Sequence, residues 1–101
     1  MDLILETERG VCIARVDDIR SPFFVDRFPH IDDPNYWYLN RINQYGNTIF
    51  NQLQAPRLLV EWDAFTKTQS DPNLLEVLAD MRELIVRLAD SMHCYLRFRG
   101  L

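Results

Sequence analysis

His30, Asp32 and Asp33 place an imidazole and two carboxylates side by side, the residue types that bind divalent cations or act as a general base. Their spacing matches no defined metal motif, and a third ligand would have to come from elsewhere, His93 being the one other histidine. His93 follows a long apolar-striped segment, where a protonated imidazole complements the helix dipole. Capping rather than ligation is expected of it, and no metal or cofactor is expected overall.

A second constellation overlaps the first. Asp17, Asp18, Asp26, Asp32 and Asp33 accompany Tyr36, Trp37 and Tyr38, so rings can anchor in a partner protein while carboxylates steer a basic surface towards them. The same rings pad the core if they turn inward. Neither Cys12 nor Cys94 sits in a nucleophile motif, and Gly10, Gly46 and Gly100 make no phosphate-binding loop. Covalent catalysis, nucleotide hydrolysis and dinucleotide redox chemistry are therefore not expected.

Arg41, Asn43, Gln44, Asn47, Thr48, Asn51, Gln52 and Gln54 form an amide-rich stretch that can hydrogen-bond a small ligand or satisfy loop backbone, the second being the commoner use. Arg97 and Arg99 flank Phe98 with the composition of a nucleic-acid-binding strand. The chain carries a net charge of -4, however, which works against phosphate binding, so these arginines are expected to guard an exposed sheet edge.

The elements that must position these residues are set by periodicity. From Asp71 to Met92, apolar residues recur at Leu74, Leu78, Met81, Ile85, Leu88 and Met92, the spacing of one helical face. Asp71 supplies an N-cap oxygen and Pro72 tolerates the first helical position, so the start is well marked. Glu83 and Arg87 can pair one turn apart, and Arg82 is the charge outside the polar strip. A second helix is expected over Pro56 to Thr68, striped by Leu58, Trp62 and Phe65, although Leu58, Val60 and Trp62 also fit a strand. Asn47 is expected to cap a short helix from Thr48 to Gln54.

Leu3 to Glu8 and Val11 to Asp17 read as a hairpin turning at Arg9-Gly10, and Cys94 to Arg99 as a C-terminal strand. Residues 11–17 are apolar on most of both faces, which predicts an interior strand and leaves the N-terminal strand as the edge. Between Asp18 and Gly46 no period persists and Pro22, Pro29 and Pro34 punctuate the chain, predicting a long irregular loop with a short helical turn near Tyr36 to Ile42. Phe23, Phe24 and Phe28 join the tyrosines and Trp37 there, too many rings for disorder.

These readings predict an α+β fold over residues 1–101 as a single domain: a small, mainly antiparallel sheet from the N-terminal hairpin and the C-terminal strand, two main helices packed on one face, and the long loop. At 101 residues and 48% hydrophobic composition the chain can bury one core, roughly 65% of its unfolded surface. Acids at the N-terminus give no export signal, no apolar run reaches membrane-spanning length, and two distant cysteines form no disulfide framework, so a cytoplasmic protein with reduced, buried thiols is expected. A bridge between the cysteines is conceivable if their strands pair.

The function expected is a non-catalytic protein-binding module. An inhibitor or immunity-type protein that neutralises a basic partner through Asp17, Asp18, Asp26, Asp32, Asp33, Tyr36, Trp37 and Tyr38 is its concrete form. The alternative is a small-molecule or metal-dependent enzyme using His30, Asp32 and Asp33, with a pocket between the loop and the amide-rich stretch. A third reading is a self-assembling subunit, a homo-oligomer that buries its loop rings. Neither nucleic acid nor membrane is expected as a partner.

Overall fold

The first turn of the chain is decided by one glycine. Gly10 sits at φ 80°, a backbone region glycine enters freely. Its N–H donates to the Thr7 carbonyl at 2.9 Å, while the Thr7 N–H donates to the Val11 carbonyl at 2.9 Å, the bonding of a three-residue hairpin loop. This loop joins β1 (Asp2–Thr7) to β2 (Cys12–Asp17). The computed structural model describes residues 1–22, 24–29 and 32–100, so Phe23, His30, Ile31 and Leu101, and with them the His30 site, lie outside the described residues.

The fold is α+β, with a four-stranded antiparallel sheet of order β2-β1-β4-β3, in which β3 is Asn47–Asn51 and β4 is Cys94–Arg99. Leu3, Leu5, Phe50, Leu96 and Phe98 fill its inner face, beneath α1 (Ala55–Lys67) and α2 (Pro72–Ala89). Leu58, Trp62 and Phe65 of α1 and Leu74, Leu78, Met81, Ile85 and Leu88 of α2 are all buried, as their spacing requires. The start of α2 is also as expected: the Asp71 side chain accepts from the Asn73 N–H at 3.0 Å and Pro72 follows.

Several expectations are corrected. Residues 47–51 form a strand, not a helix capped by Asn47. Phe50 alone points fully into the core, and the cap belongs to Asn51, which exchanges hydrogen bonds with Gln54 at the 3₁₀ turn Gln52–Gln54. β2 is an edge strand and β1 an interior one, because β4 pairs with β1; Val11 and Ile13 are accordingly exposed. α2 ends at Ala89, so Met92 lies beyond it and is 72% exposed. His93 does not cap the helix. It adopts φ 61° in the turn before β4, and its Nδ1 meets Glu8 Oε1 at 2.8 Å.

Nor do Arg97 and Arg99 guard an edge, since β4 is flanked on both sides. They lie on the outer sheet face, Arg97 paired with Glu6 at 3.1 Å and Arg99 with Asp2, which Arg15 also reaches at 2.7 Å. Cys12 and Cys94 are free, on strands that flank β1 from opposite sides. Two strand spacings, about 9.6 Å, exceed the reach of a disulfide. Cys12 is exposed and Cys94 half-buried, so neither is the buried hydrophobe expected.

Arg82, the charge outside the polar strip of α2, reaches across to α1. Its Nε and Nη2 donate to the two Asp63 carboxylate oxygens at 2.7 and 3.1 Å. This hydrogen bonding raises the Arg82 pKa above its ordinary value. A raised arginine pKa stabilises the fold at every pH below the unfolded value, and the contribution is lost only as pH rises through the folded one. Glu83 and Arg87 form no ion pair with each other among the described residues.

The end of β4 packs closely on the turn before β3. A Cβ at Gly100 would stand 2.5 Å from the Gln44 carbonyl oxygen and 2.7 Å from the Gly46 nitrogen. Gly100→Ala is therefore expected to lower stability by about 1–3 kcal/mol in urea unfolding. Gly10→Ala meets nothing in space and is strained only by its φ, so a smaller loss of about 1 kcal/mol is expected.

Candidate functional site

Described residues of the loop between β2 and β3 tie it to the helices at several points. Arg20 donates to Glu76 at 2.6 Å and Asp80 at 2.5 Å on α2; the Asp80 hydrogen bond first, then that of Glu76, raises its pKa. Arg27 pairs with Asp71 at 3.5 Å. Between them the 3₁₀ turn Phe24–Arg27 sends Phe24 into the core, 1% exposed. Phe28 meets Phe24, Trp62 and Phe65 edge to face, with centroids 5.4, 6.0 and 5.0 Å away.

Further along, the Asp33 side chain accepts from the Asn35 N–H at 2.9 Å and its carbonyl from the Tyr36 N–H at 3.3 Å and the Asn40 amide at 3.3 Å. This turn leads into the 3₁₀ turn Leu39–Arg41. There α1 contributes a buried carboxylate. Glu61 is 2% exposed, and its Oε1 accepts from the N–H groups of Tyr38 at 2.8 Å and Leu39 at 3.2 Å. Its Oε2 has no hydrogen-bond partner, and Arg57 approaches it only to 3.7 Å. One carboxylate oxygen thus ties the loop backbone to the helix that carries Trp62.

The consequence is an alternation of rings. Tyr36 and Tyr38 are half-buried against the core, Tyr38 edge to face with Phe50 at 5.7 Å. Trp37 between them is 55% exposed, with the Arg41 guanidinium 3.9 Å above its ring centre. Such a cation–π contact is worth about 0.5–1 kcal/mol at an exposed site and holds the ring in place. Asp26 and Asp32 are exposed on the same loop and Asp33 is half-buried.

Asp17 and Asp18 lie apart from this group. Asp17 ends the edge strand β2 and Asp18 follows it, while Tyr38 packs on Phe50 of β3 at the opposite edge, about 14 Å across three strand spacings. The Asp17 carboxylate accepts from the Ile19 N–H at 3.1 Å, and Asp18 pairs with the Met1 ammonium at 3.1 Å. Both carboxylates hold local backbone. Glu61, by contrast, escaped the candidate residues although it organises them.

Comparison with protein-family models, curated proteins and solved structures finds no match. The chemistry of the site must therefore be read from its own side chains. A cleft of about 450 Å³ opens where the loop meets the amide-rich stretch, between Phe28, Leu39, Asn43 and Tyr45, with Asp26 at its rim. Its described lining contains one carboxylate and no histidine, cysteine or serine. The amides nearby are engaged in structure: the Asn43 N–H donates to Thr48 Oγ1 at 2.9 Å, the Tyr45 N–H to Asn43 Oδ1 at 2.9 Å, and Gln52 Nε2 to the Ala89 carbonyl at 3.0 Å. Among the described residues no three His, Cys, Asp or Glu side chains converge as metal ligands, and no helix is long and apolar enough to cross a membrane.

Proposed function

We propose that this chain is a non-catalytic, cytoplasmic protein-binding module that engages its partner through the loop surface centred on Trp37. The observation that carries the reading is the presentation of that ring: exposed, stacked under Arg41, and flanked by Tyr36 and Tyr38, whose rings pack on the core, with the N–H groups of Tyr38 and Leu39 held by Glu61. A large aromatic side chain held in place before binding loses little conformational entropy on docking, which is the behaviour of an interface anchor. The net charge of -4 and the exposed carboxylates of Asp26 and Asp32 favour a basic partner, and an inhibitor or immunity-type protein that neutralises a basic enzyme is the concrete form.

The test begins with capture from the source cell's lysate, followed by titration of the purified partner against wild type, Trp37→Ala and Asp26→Asn/Asp32→Asn, all with matched melting. Trp37→Ala is expected to weaken binding by about tenfold or more. The double carboxamide variant should slow association and reduce its salt dependence. A partner that binds wild type and Trp37→Ala equally, or no partner at all, rules the loop interface out.

A further inference from the structure

The outer edge of β3 is the least protected strand edge in the molecule. From Ile42 to Pro56 the chain carries no charged residue, although 26% of the whole sequence is charged. Edge strands are normally blunted by charges, prolines or bulges. The opposite edge, β2, has such devices, with Arg15, Asp17 and a bulge at its own Ile13, opposite the Leu5–Glu6 step of β1. β3 has none, and nothing in its sequence would repel a second acidic chain.

The hydrogen-bond pattern says which groups this edge offers. The Gly100 N–H donates to the Gly46 carbonyl at 2.7 Å, so in the β3–β4 register Gly46, Thr48 and Phe50 bond towards β4. Asn47, Ile49 and Asn51 then face outward. The Asn51 N–H is already taken by Gln54 Oε1 at 2.9 Å. What remains is the N–H and C=O of Asn47 and of Ile49, and the C=O of Asn51.

These groups are self-complementary. Antiparallel pairing of two β3 strands about a two-fold axis at Ile49 sets Ile49 opposite Ile49 and Asn47 opposite Asn51, so every free N–H meets a free carbonyl. The exposed apolar residues lie about the same centre. Ile49 is 57% exposed on the strand itself, and Tyr45 and Leu53, at 72% and 89%, stand in the turns that precede and follow it. A second copy brings the same uncharged stretch, residues 42–56, to the edge, so no like charges meet across it.

We infer that β3 is a homodimerisation edge, through which two copies join their sheets into one eight-stranded sheet across a two-fold axis at Ile49. This interface is made by residues other than Trp37 and does not require the partner proposed for the Trp37 surface.

Sedimentation equilibrium over a concentration series tests it. Wild type is expected to approach twice the 12.0 kDa chain mass at high concentration. Ile49→Pro removes a donor that points away from β4, and Ile49→Lys sets like charges opposite each other. Each should raise the dimer dissociation constant about 10- to 100-fold, from the lost or opposed cross-strand interactions, without loss of melting cooperativity. Ile13→Lys, on the opposite edge, should leave dimerisation unchanged. A wild-type chain that stays at the single-chain mass overturns the inference, as does a dimer that survives both Ile49 substitutions or is broken by Ile13→Lys.

Discussion

Trp62→Ala is expected to lower stability by about 3–5 kcal/mol, the cost of emptying a large buried aromatic site. Trp62 is fully buried and is the piece on which every layer closes. Its ring lies 5.9 Å from Phe98 in the sheet and 6.0 Å from Phe28 in the loop, and its Nε1 donates to the Leu78 carbonyl of α2 at 3.0 Å. Alanine removes all three contacts together. Against a total stability of about 5–15 kcal/mol for a domain of this kind, the loss is a large fraction. Urea unfolding should show a lower midpoint with an unchanged slope, and Trp62→Phe, which keeps a ring but loses the N–H, should fall between. A loss under about 1 kcal/mol for the alanine variant would contradict this packing.

Glu61→Leu is the second large effect. Leucine fills much of the same volume but offers no acceptor, so the N–H of Leu39, which is buried, and that of Tyr38, half-buried, lose their partner. At about 1–3 kcal/mol for each buried donor left unsatisfied, a loss of about 2–5 kcal/mol is expected. Glu61→Gln separates the causes. Its amide oxygen can still accept both bonds, so it should cost about 1 kcal/mol, the difference between charged and neutral acceptors. Equal losses for leucine and glutamine would mean that the negative charge, rather than the two hydrogen bonds, is what matters.

What the sequence made legible follows from where local signals and tertiary pairing agree. Asp71-Pro72 and the long apolar stripe define α2 because cap, proline and period act on the same residues, and Gly10 defines the hairpin because a left-handed residue is needed there. β3 reads as a helix in sequence because Ile49, Phe50 and Leu53 also suit one helical turn. Five residues are too few for period alone to choose, and pairing with β4 from the far end of the chain decides it. The same long-range pairing places β1 inside the sheet and β2 at the edge, against the apolar content of β2.

The sequence marked the loop that carries Tyr36, Trp37 and Tyr38 as rich in rings and acids, but not which of its side chains share a surface. Asp26, Asp33, Tyr36, Trp37 and Tyr38 do lie on the loop, yet Asp17 and Asp18 belong to the other side of the sheet, and nothing local in an acidic run reveals which carboxylates share a surface. Glu61 did leave a signal. It lies three residues after Leu58 and four before Phe65, within the apolar arc of α1, and an acid there is buried and must find donors. Those donors are the loop's own amides, so the helix and the loop that it positions are read together or not at all.

Trp37 is held in place on a loop whose backbone Glu61 ties to α1. Residue-resolved hydrogen exchange of the Tyr38 and Leu39 amides tests it most directly. Slow exchange is expected for both in wild type, Leu39 the slower, with loss of that protection in Glu61→Leu while the amides of α2 remain protected under conditions where the variant stays folded. Fast exchange of Leu39 in wild type, or protection unchanged by Glu61→Leu, would contradict it.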